Sequence, residues 1–201
     1  MMKPDCRNRL VEVGTRLFAE HGLHGVSVRE LSQAAGASIS MVSYYFGGKE
    51  GLYAAVLQEQ FACFDQIEEL RQSGSGPLAV LEAYLRWTLQ RHRNHPYLLR
   101  FYTSELTNPT GFFPVIVAPA INKVIRGLAE VIDDGIRQGL FRREIHAVNA
   151  SLALAGMINY FFLSLLATEN LISHSPEQDE QLVQQYLLIF TCGICFPVCM
   201  T

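Results

Sequence analysis

Between positions 27 and 49 the chain collects Ser27, Arg29, Ser38, Ser40, Ser43, Tyr44, Tyr45 and Lys49, with the apolar Ile39 and Met41 set among them. None of these is an obvious acid, base or nucleophile. Together they offer hydroxyls that donate and accept, a planar guanidinium that fits a guanine edge or a phosphate, and an ammonium. That is the chemistry of DNA recognition. Ser27, Tyr44 and Tyr45 suit phosphates, while Ser38, Ser40, Met41 and Ser43 are left to read bases. Lys49 stands where a helix should begin, so its charge and the free backbone N–H groups make an anion site for the DNA backbone.

Other chemistries find less support. No nucleophile elbow accompanies a Ser-His-Asp order, no H-E-x-x-H occurs, and Gly47-Gly48-Lys49 lacks the first glycine and spacing of a phosphate loop. An enzyme is not expected. Cys192, Cys195 and Cys199 form C-x2-C-x3-C, beside the isolated Cys6 and Cys63. Zinc wants four ligands, no histidine lies nearby, and the setting TCGICFPVCM is apolar, so buried unreactive thiols are expected. The six histidines show no ligand spacing beyond the pairs 21/24 and 92/95. No metal and no cofactor is assigned.

The elements that must position the polar cluster are two short helices about a tight turn. Ser27 caps a helix over Val28 to Ala35, Gly36 supplies a left-handed turn position, and Ser38 caps a second helix ending near Phe46. Ahead of them Leu10, Val13, Leu17 and Phe18 form one apolar stripe on a first helix. Val28, Leu31 and Ala35, then Val42 and Phe46, close a small three-helix core. Ile39 has two places open to it by spacing, in that core or outside it.

The chain resembles the TetR (tetracycline repressor) family of bacterial transcription regulators through LFAEHG at Leu17 to Gly22, SVRELSQAAG, SYYF and KEGL, in that order. The resemblance implies a helix-turn-helix at 27–46 within a DNA-binding domain at 1–64, and a helical ligand-binding and dimerisation domain at 65–201. It also implies that Arg29 reaches DNA and that Ile39 lies on the DNA side, where it could touch a thymine methyl. The segment His95 to Phe113 resembles the C-terminal domain of one branch of the family, and only architecture is carried over from it.

Past Lys49 the pattern is helical throughout. Helices are expected at Lys49 to Gln72, Leu78 to Arg93, from His95-Pro96 to Leu106, at Pro114 to Gln138 with a kink at Pro119, at Ala147 to Thr168 and at Pro176 to Phe196. The fold class is therefore all-α, with nine or ten helices. The run 152–167 is too short to span a bilayer and is interrupted by Asn159 and Ser164. A helix apolar all round should be covered on several sides, and the resemblance implies that the last two helices pair with their symmetry mates in a four-helix bundle.

Charge fits this reading. Positions 1–49 carry 6 Lys+Arg against 4 Asp+Glu, and the remainder 10 against 15. So small an excess makes one copy a weak DNA binder, which points to a homodimer on a palindromic operator. Lys3, Asp5, Arg7, Arg9 and Glu12 leave no apolar secretory run at the start, so a cytoplasmic protein is expected. Tyr84, Trp87, Phe101, Tyr102, Phe112, Phe113, Tyr160 and Phe161 are spaced either to build plain core or to line an effector pocket, and Asn159, with Arg86, Arg100, His92 and Glu105 in range, favours the pocket. The reading is a ligand-responsive transcriptional regulator, most simply a repressor released by a small molecule. Two alternatives stay open: an architectural DNA binder without ligand control, and a thiol or metal sensor using the C-terminal cysteines.

Overall fold

The structure is a computed structural model that describes residues 6–62, 66–72, 74–168, 170–171 and 175–195. Cys63, Cys199, Phe196 and His174 lie outside the described residues. Among the described residues ten α-helices follow one another: α1 Cys6–His21, α2 Val28–Ala34, α3 Ile39–Phe46, α4 Lys49–Gln60, α5 Gln66–Gln72, α6 Pro77–Asn94, α7 Leu98–Thr107, α8 Ala118–Arg137, α9 Ala147–Thr168 and α10 Pro176–Ile194. A π-helical turn at Phe113–Val117 runs into α8. No strand occurs among the described residues, only an isolated antiparallel bridge between Phe141 and Cys195.

Two helices differ from expectation. The single helix foreseen at Lys49 to Gln72 is two, since α4 ends at Gln60 and α5 starts at Gln66. The helix foreseen from Pro114 opens instead as the π turn, in which Pro114 has no N–H to give and the Ala118 N–H donates to the Phe113 carbonyl five residues back.

By backbone proximity the chain forms two compact units, one of Met1–Ala62 with His95–Ala120 and the other of Cys63–Asn94 with Ile121–Thr201. The expected boundary at 64/65 passed the chain once from one domain to the next; residues 95–120 instead group with the N-terminal helices. In the first unit the buried stripe of α1 is Leu10, Val11, Gly14 and Phe18. Val13 and Leu17, expected in the stripe, are half-buried. α4 supplies Leu52, Tyr53, Val56 and Leu57, all buried. Tyr53 is the hub. Its ring meets Phe18 edge-on at 5.1 Å and approaches Phe101 of α7 at 6.1 Å and Phe112 at 6.0 Å. Its hydroxyl donates to Glu105 Oε1 at 2.7 Å, and Thr110 donates to the same carboxyl group from Oγ1 at 2.9 Å and from N, to Oε2, at 3.1 Å. Glu105 is fully buried, so these bonds satisfy a group that could not otherwise stay inside. The Tyr53 bond ties α7 to α4.

The second unit packs Leu81, Leu85, Leu128, Ile132, Phe141, Leu154 and Ile158 into one core from α6, α8, α9 and the turn after α8. α10 starts on a capping box, in which Ser175 accepts from the Gln178 N–H and the Gln178 side chain accepts from the Ser175 N–H, with Pro176 at the first helical position. Its acidic first turns meet α6 through Arg93 to Asp179 at 2.6 Å and through Arg86, which bonds Glu180 and Glu82. α9 buries Ala150, Leu154, Ala155, Ile158 and Phe161 while Leu152, Tyr160, Leu163 and Leu166 are exposed. At 22 residues α9 is longer than its apolar run and is long and apolar enough to cross a membrane, although one of its faces builds this core.

Candidate nucleic-acid interface

The interface begins with a cap. Ser27 Oγ accepts from the Glu30 N–H at 3.2 Å and donates to Glu30 Oε2 at 2.7 Å, and the Ser27 N–H donates to the same oxygen at 2.8 Å. These bonds close a capping box and hold the Glu30 carboxyl group below its usual range, chiefly through the serine side chain. The cap fixes where α2 starts and leaves Arg29 exposed in its first turn. Gly36 follows α2 with φ of 60°, the left-handed position the turn needs.

α3 then presents its residues by period alone. Val42 is fully buried, and Leu31 of α2, also fully buried, is part of the same small core. Ile39, at 54% exposed, stands on the outer face with Ser38, Ser40, Met41 and Ser43, which settles the choice its spacing left open. Tyr44, at 78% exposed, is more open than Ile39 or Met41. An isoleucine and a tyrosine so exposed on a helix this small mark a surface made for contact. Ser38 departs from expectation: it holds the N-cap position but makes no cap bond, and its hydroxyl pairs with Ser40 at 2.7 Å. Tyr45 is half-buried, packed edge-on to Tyr44 at 5.1 Å and near Phe46 at 6.2 Å, over which Arg7 lies at 5.5 Å.

Lys49 opens α4 where Gly47 and Gly48 turn the chain with φ of 75° and 138°. Gly48 has no side chain to cap the helix, so its first-turn N–H groups are without a side-chain acceptor. Gly51 is a residue that sequence reading missed. A Cβ there would fall 1.8 Å from the Phe46 carbonyl oxygen, so only glycine lets α4 begin this close behind α3 and bring Lys49 beside the recognition helix. The pair Gly47-Gly48 flagged a turn; nothing in the local pattern flagged a close approach.

The expected effector residues are divided between the two units. Phe101 is buried and Phe112 half-buried on Tyr53 in the first unit, where Tyr102 and Phe113 are also half-buried. In the second unit Tyr84 is buried beside Trp87, with ring centroids 6.3 Å apart, and Asn159 bonds His92. Tyr160 is 70% exposed on α9 rather than enclosed with the other rings. Helical period explains this: Ile158 and Phe161 take the inward positions and turn their neighbour outward. The cysteines also need correcting. Cys192 is exposed and Cys195 half-buried, so the apolar segment does not fully bury these two thiols. Burial, then the neighbouring Cys192, pushes the Cys195 thiol up, away from the thiolate that reacts with oxidants or metals. No group of three metal-ligating side chains occurs among the described residues.

A buried Val42, an outward row of serines and exposed apolar side chains, and a capped α2 in front define a helix-turn-helix DNA-binding regulator of transcription. Residues 10–56 match the family of bacterial regulatory proteins called tetR, and residues 77–189 match the tetracyclin repressor-like C-terminal domain. The chain belongs to the TetR family. It is 27% identical over 140 residues to the probable HTH-type transcriptional regulator YttP of Bacillus subtilis, covering 68% of each chain. To the HTH-type transcriptional repressor NicS of Pseudomonas putida it is 26% identical over 162 residues, covering 79% of this chain and 76% of NicS. Its fold is that of the regulator FadR of Bacillus subtilis solved in complex with stearoyl-CoA, with a TM-score of 0.74 at 15% identity over 93% of this chain and 98% of that one.

Proposed function

We propose that the protein is a homodimeric repressor that leaves a palindromic operator when a small molecule binds its helical domain, and that it acts in the cytoplasm. The observation that carries the dimer is the apolar outer surface of the last two helices. Leu152, Tyr160, Leu163 and Leu166 of α9 and Leu188 and Ile189 of α10 are all more than half exposed in the single chain. Surface of that kind calls for a cover, and two-fold pairing of α9 and α10 supplies it with the same residues from a second copy. The pairing would also set two α3 helices about one DNA turn, ~34–36 Å, apart.

The DNA contacts in this reading are Ser27, Tyr44, Tyr45 and Lys49 on phosphates and Arg29, Ser38, Ile39, Ser40, Met41 and Ser43 toward bases. Repression agrees with the relative named a repressor, and effector control with the fold neighbour solved with stearoyl-CoA. The effector acts by population shift. By binding better to a spacing of the two α3 helices that does not match successive major grooves, it lowers operator affinity by its differential affinity for the two states. The test is a palindromic site selected from random DNA with the purified protein, followed by sedimentation and gel shift. A dimer that protects both half-sites is expected. A monomer at micromolar concentration that binds such a site tightly and without cooperativity would overturn the reading.

A further inference from the structure

The core of the second unit holds a hydroxyl that the packing leaves without a partner. Thr88 of α6 is 7% exposed, and its buried Oγ1 makes no hydrogen bond. A threonine inside a helix has a ready remedy, which is to donate to the carbonyl one turn back. Thr15, Thr103, Thr107, Thr168 and Thr191 do so, at 2.9, 2.8, 2.8, 3.0 and 2.8 Å. Thr88 does not. A buried hydroxyl left unpaired is costly, so its retention asks for a partner that comes from outside the chain.

One turn further along the same face of α6 stands His92, 8% exposed. Its ring lies against Phe162 of α9 at 4.5 Å, and Nε2 is 2.8 Å from Asn159 Oδ1. The amide oxygen accepts, so the ring donates through Nε2–H and keeps a lone pair on Nδ1, while Asn159 keeps both hydrogens of its amide nitrogen. Burial first, and then the charge of Arg91, hold the imidazole below its ordinary value against the opposing bond to Asn159. The nearby cations are engaged elsewhere: Arg93 lies over Phe162 at 5.4 Å and bonds Asp179, and Arg91 lies over Trp87 at 6.0 Å. α6 and α9 thus offer a hydroxyl, an acceptor nitrogen and an amide donor amid aliphatic and aromatic side chains, with the guanidinium groups of α6 held in ion pairs or over rings.

We infer that Thr88, His92 and Asn159 are the orienting groups of the effector site, and that the effector is an uncharged, mainly apolar molecule bound through a ketone or hydroxyl oxygen. The oxygen accepts from Thr88 and Asn159, and a hydroxyl also donates to His92. A carboxylate is disfavoured in the site by the desolvation of its charge, because the guanidinium groups of Arg91 and Arg93 are held over Trp87 and Phe162 rather than turned to the hydroxyl and amide. The inference rests on the reading of the protein as effector-controlled.

Trp87 is the single tryptophan of the chain and adjoins Thr88, so its fluorescence reads the site. The full-length protein is titrated with 2-octanone, 1-octanol, octane and octanoate. Saturable binding is expected for the ketone and the alcohol, at least about tenfold tighter than for octane or octanoate. Thr88→Val keeps the shape and removes the hydroxyl; it should weaken ketone binding about tenfold while leaving the melting temperature of the ligand-free protein unchanged or higher. Asn159→Leu should weaken it in parallel. The inference is overturned if octane binds as well as the ketone, if none of the four binds, if Thr88→Val leaves ketone affinity unchanged, or if Thr88→Val lowers the melting temperature by several degrees. A gel shift on the selected operator separates the two readings. Ketone binding without operator release would overturn effector control and leave the site standing, whereas release by ketone undiminished in Thr88→Val would keep effector control and overturn the site.

Discussion

Removing one oxygen atom, in Tyr53→Phe, tests how the N-terminal helices are held to α7. The ring stays, so its contacts with Phe18, Phe101 and Phe112 stay, and no cavity opens. What goes is the 2.7 Å bond to Glu105 Oε1 inside a site where Tyr53 is 2% exposed and Glu105 not at all. Thr110 still serves the carboxyl group, so the loss is one donor to a buried acceptor, about 1–3 kcal/mol and centred near 2. For a chain of this size that is a fall in melting temperature of about 4–8 °C. The pH dependence carries a second signature. Burial first, and then the bond to Glu105, raises the Tyr53 hydroxyl above its ordinary value of 10. The folded protein therefore keeps a proton that the unfolded chain releases above pH 10, so this contribution to stability is whole below pH 10 and is lost as the pH climbs past it. Tyr53→Phe should remove that alkaline slope. Thermal and urea melts of parent and variant between pH 7 and 11 decide it. A variant within about 0.5 kcal/mol of the parent, with the alkaline slope unchanged, would refute the claim that this bond ties α4 to α7.

Three further outcomes are expected. Lys49→Ala should weaken binding alike on operator and random DNA and lower the salt slope by about one, while Arg29→Ala should cost about 1–3 kcal/mol and relax base preference; equal losses on both DNAs for Arg29→Ala would place it on phosphate. Leu163→Asp, on the exposed face of α9, should leave helix content near that of the parent yet abolish dimers in sedimentation and operator binding with them, and a dimer that survives would move the interface elsewhere. Leu187→Asp should differ from it by unfolding the second unit, since Leu187 is half-buried against its own core. Gly135→Ala would put a Cβ 2.2 Å from the ring of the fully buried Phe141, so overpacking of about 1–3 kcal/mol should exceed the helix-propensity gain of about 1. A melting temperature higher than the parent's would show that Phe141 yields freely.

Much of this protein was legible in its sequence because helices announce themselves locally. Ser27 ahead of α2, Gly36 after it and Pro176 at the start of α10 act within one turn, so residue type and spacing suffice to place them. The outward row of α3 was readable for the same reason, since a 3.6-residue period that buries Val42 must expose Ser40, Ser43 and Tyr44. What period could not do was choose between faces of similar polarity. Ile39 could have gone inward, Val13 and Leu17 seemed to belong to the stripe that Val11 and Gly14 complete, and Tyr160 seemed one ring among many.

The remainder depended on residues far apart in the chain. Tyr53 meets Glu105 across 52 positions, and that bond ties α7 to α4. Gly51 is an ordinary glycine until the Phe46 carbonyl is placed against it, and Thr88 is an ordinary helical threonine until its neighbours are seen to give its hydroxyl nothing. The sequence by itself determined the helices, the recognition face and the family, because hydrogen bonds within a turn and a helical period are properties of short stretches of chain. Only the tertiary structure decided which polar groups are buried, which of them are satisfied and which glycine is indispensable, because desolvation and steric contact are set by whatever the rest of the chain brings alongside.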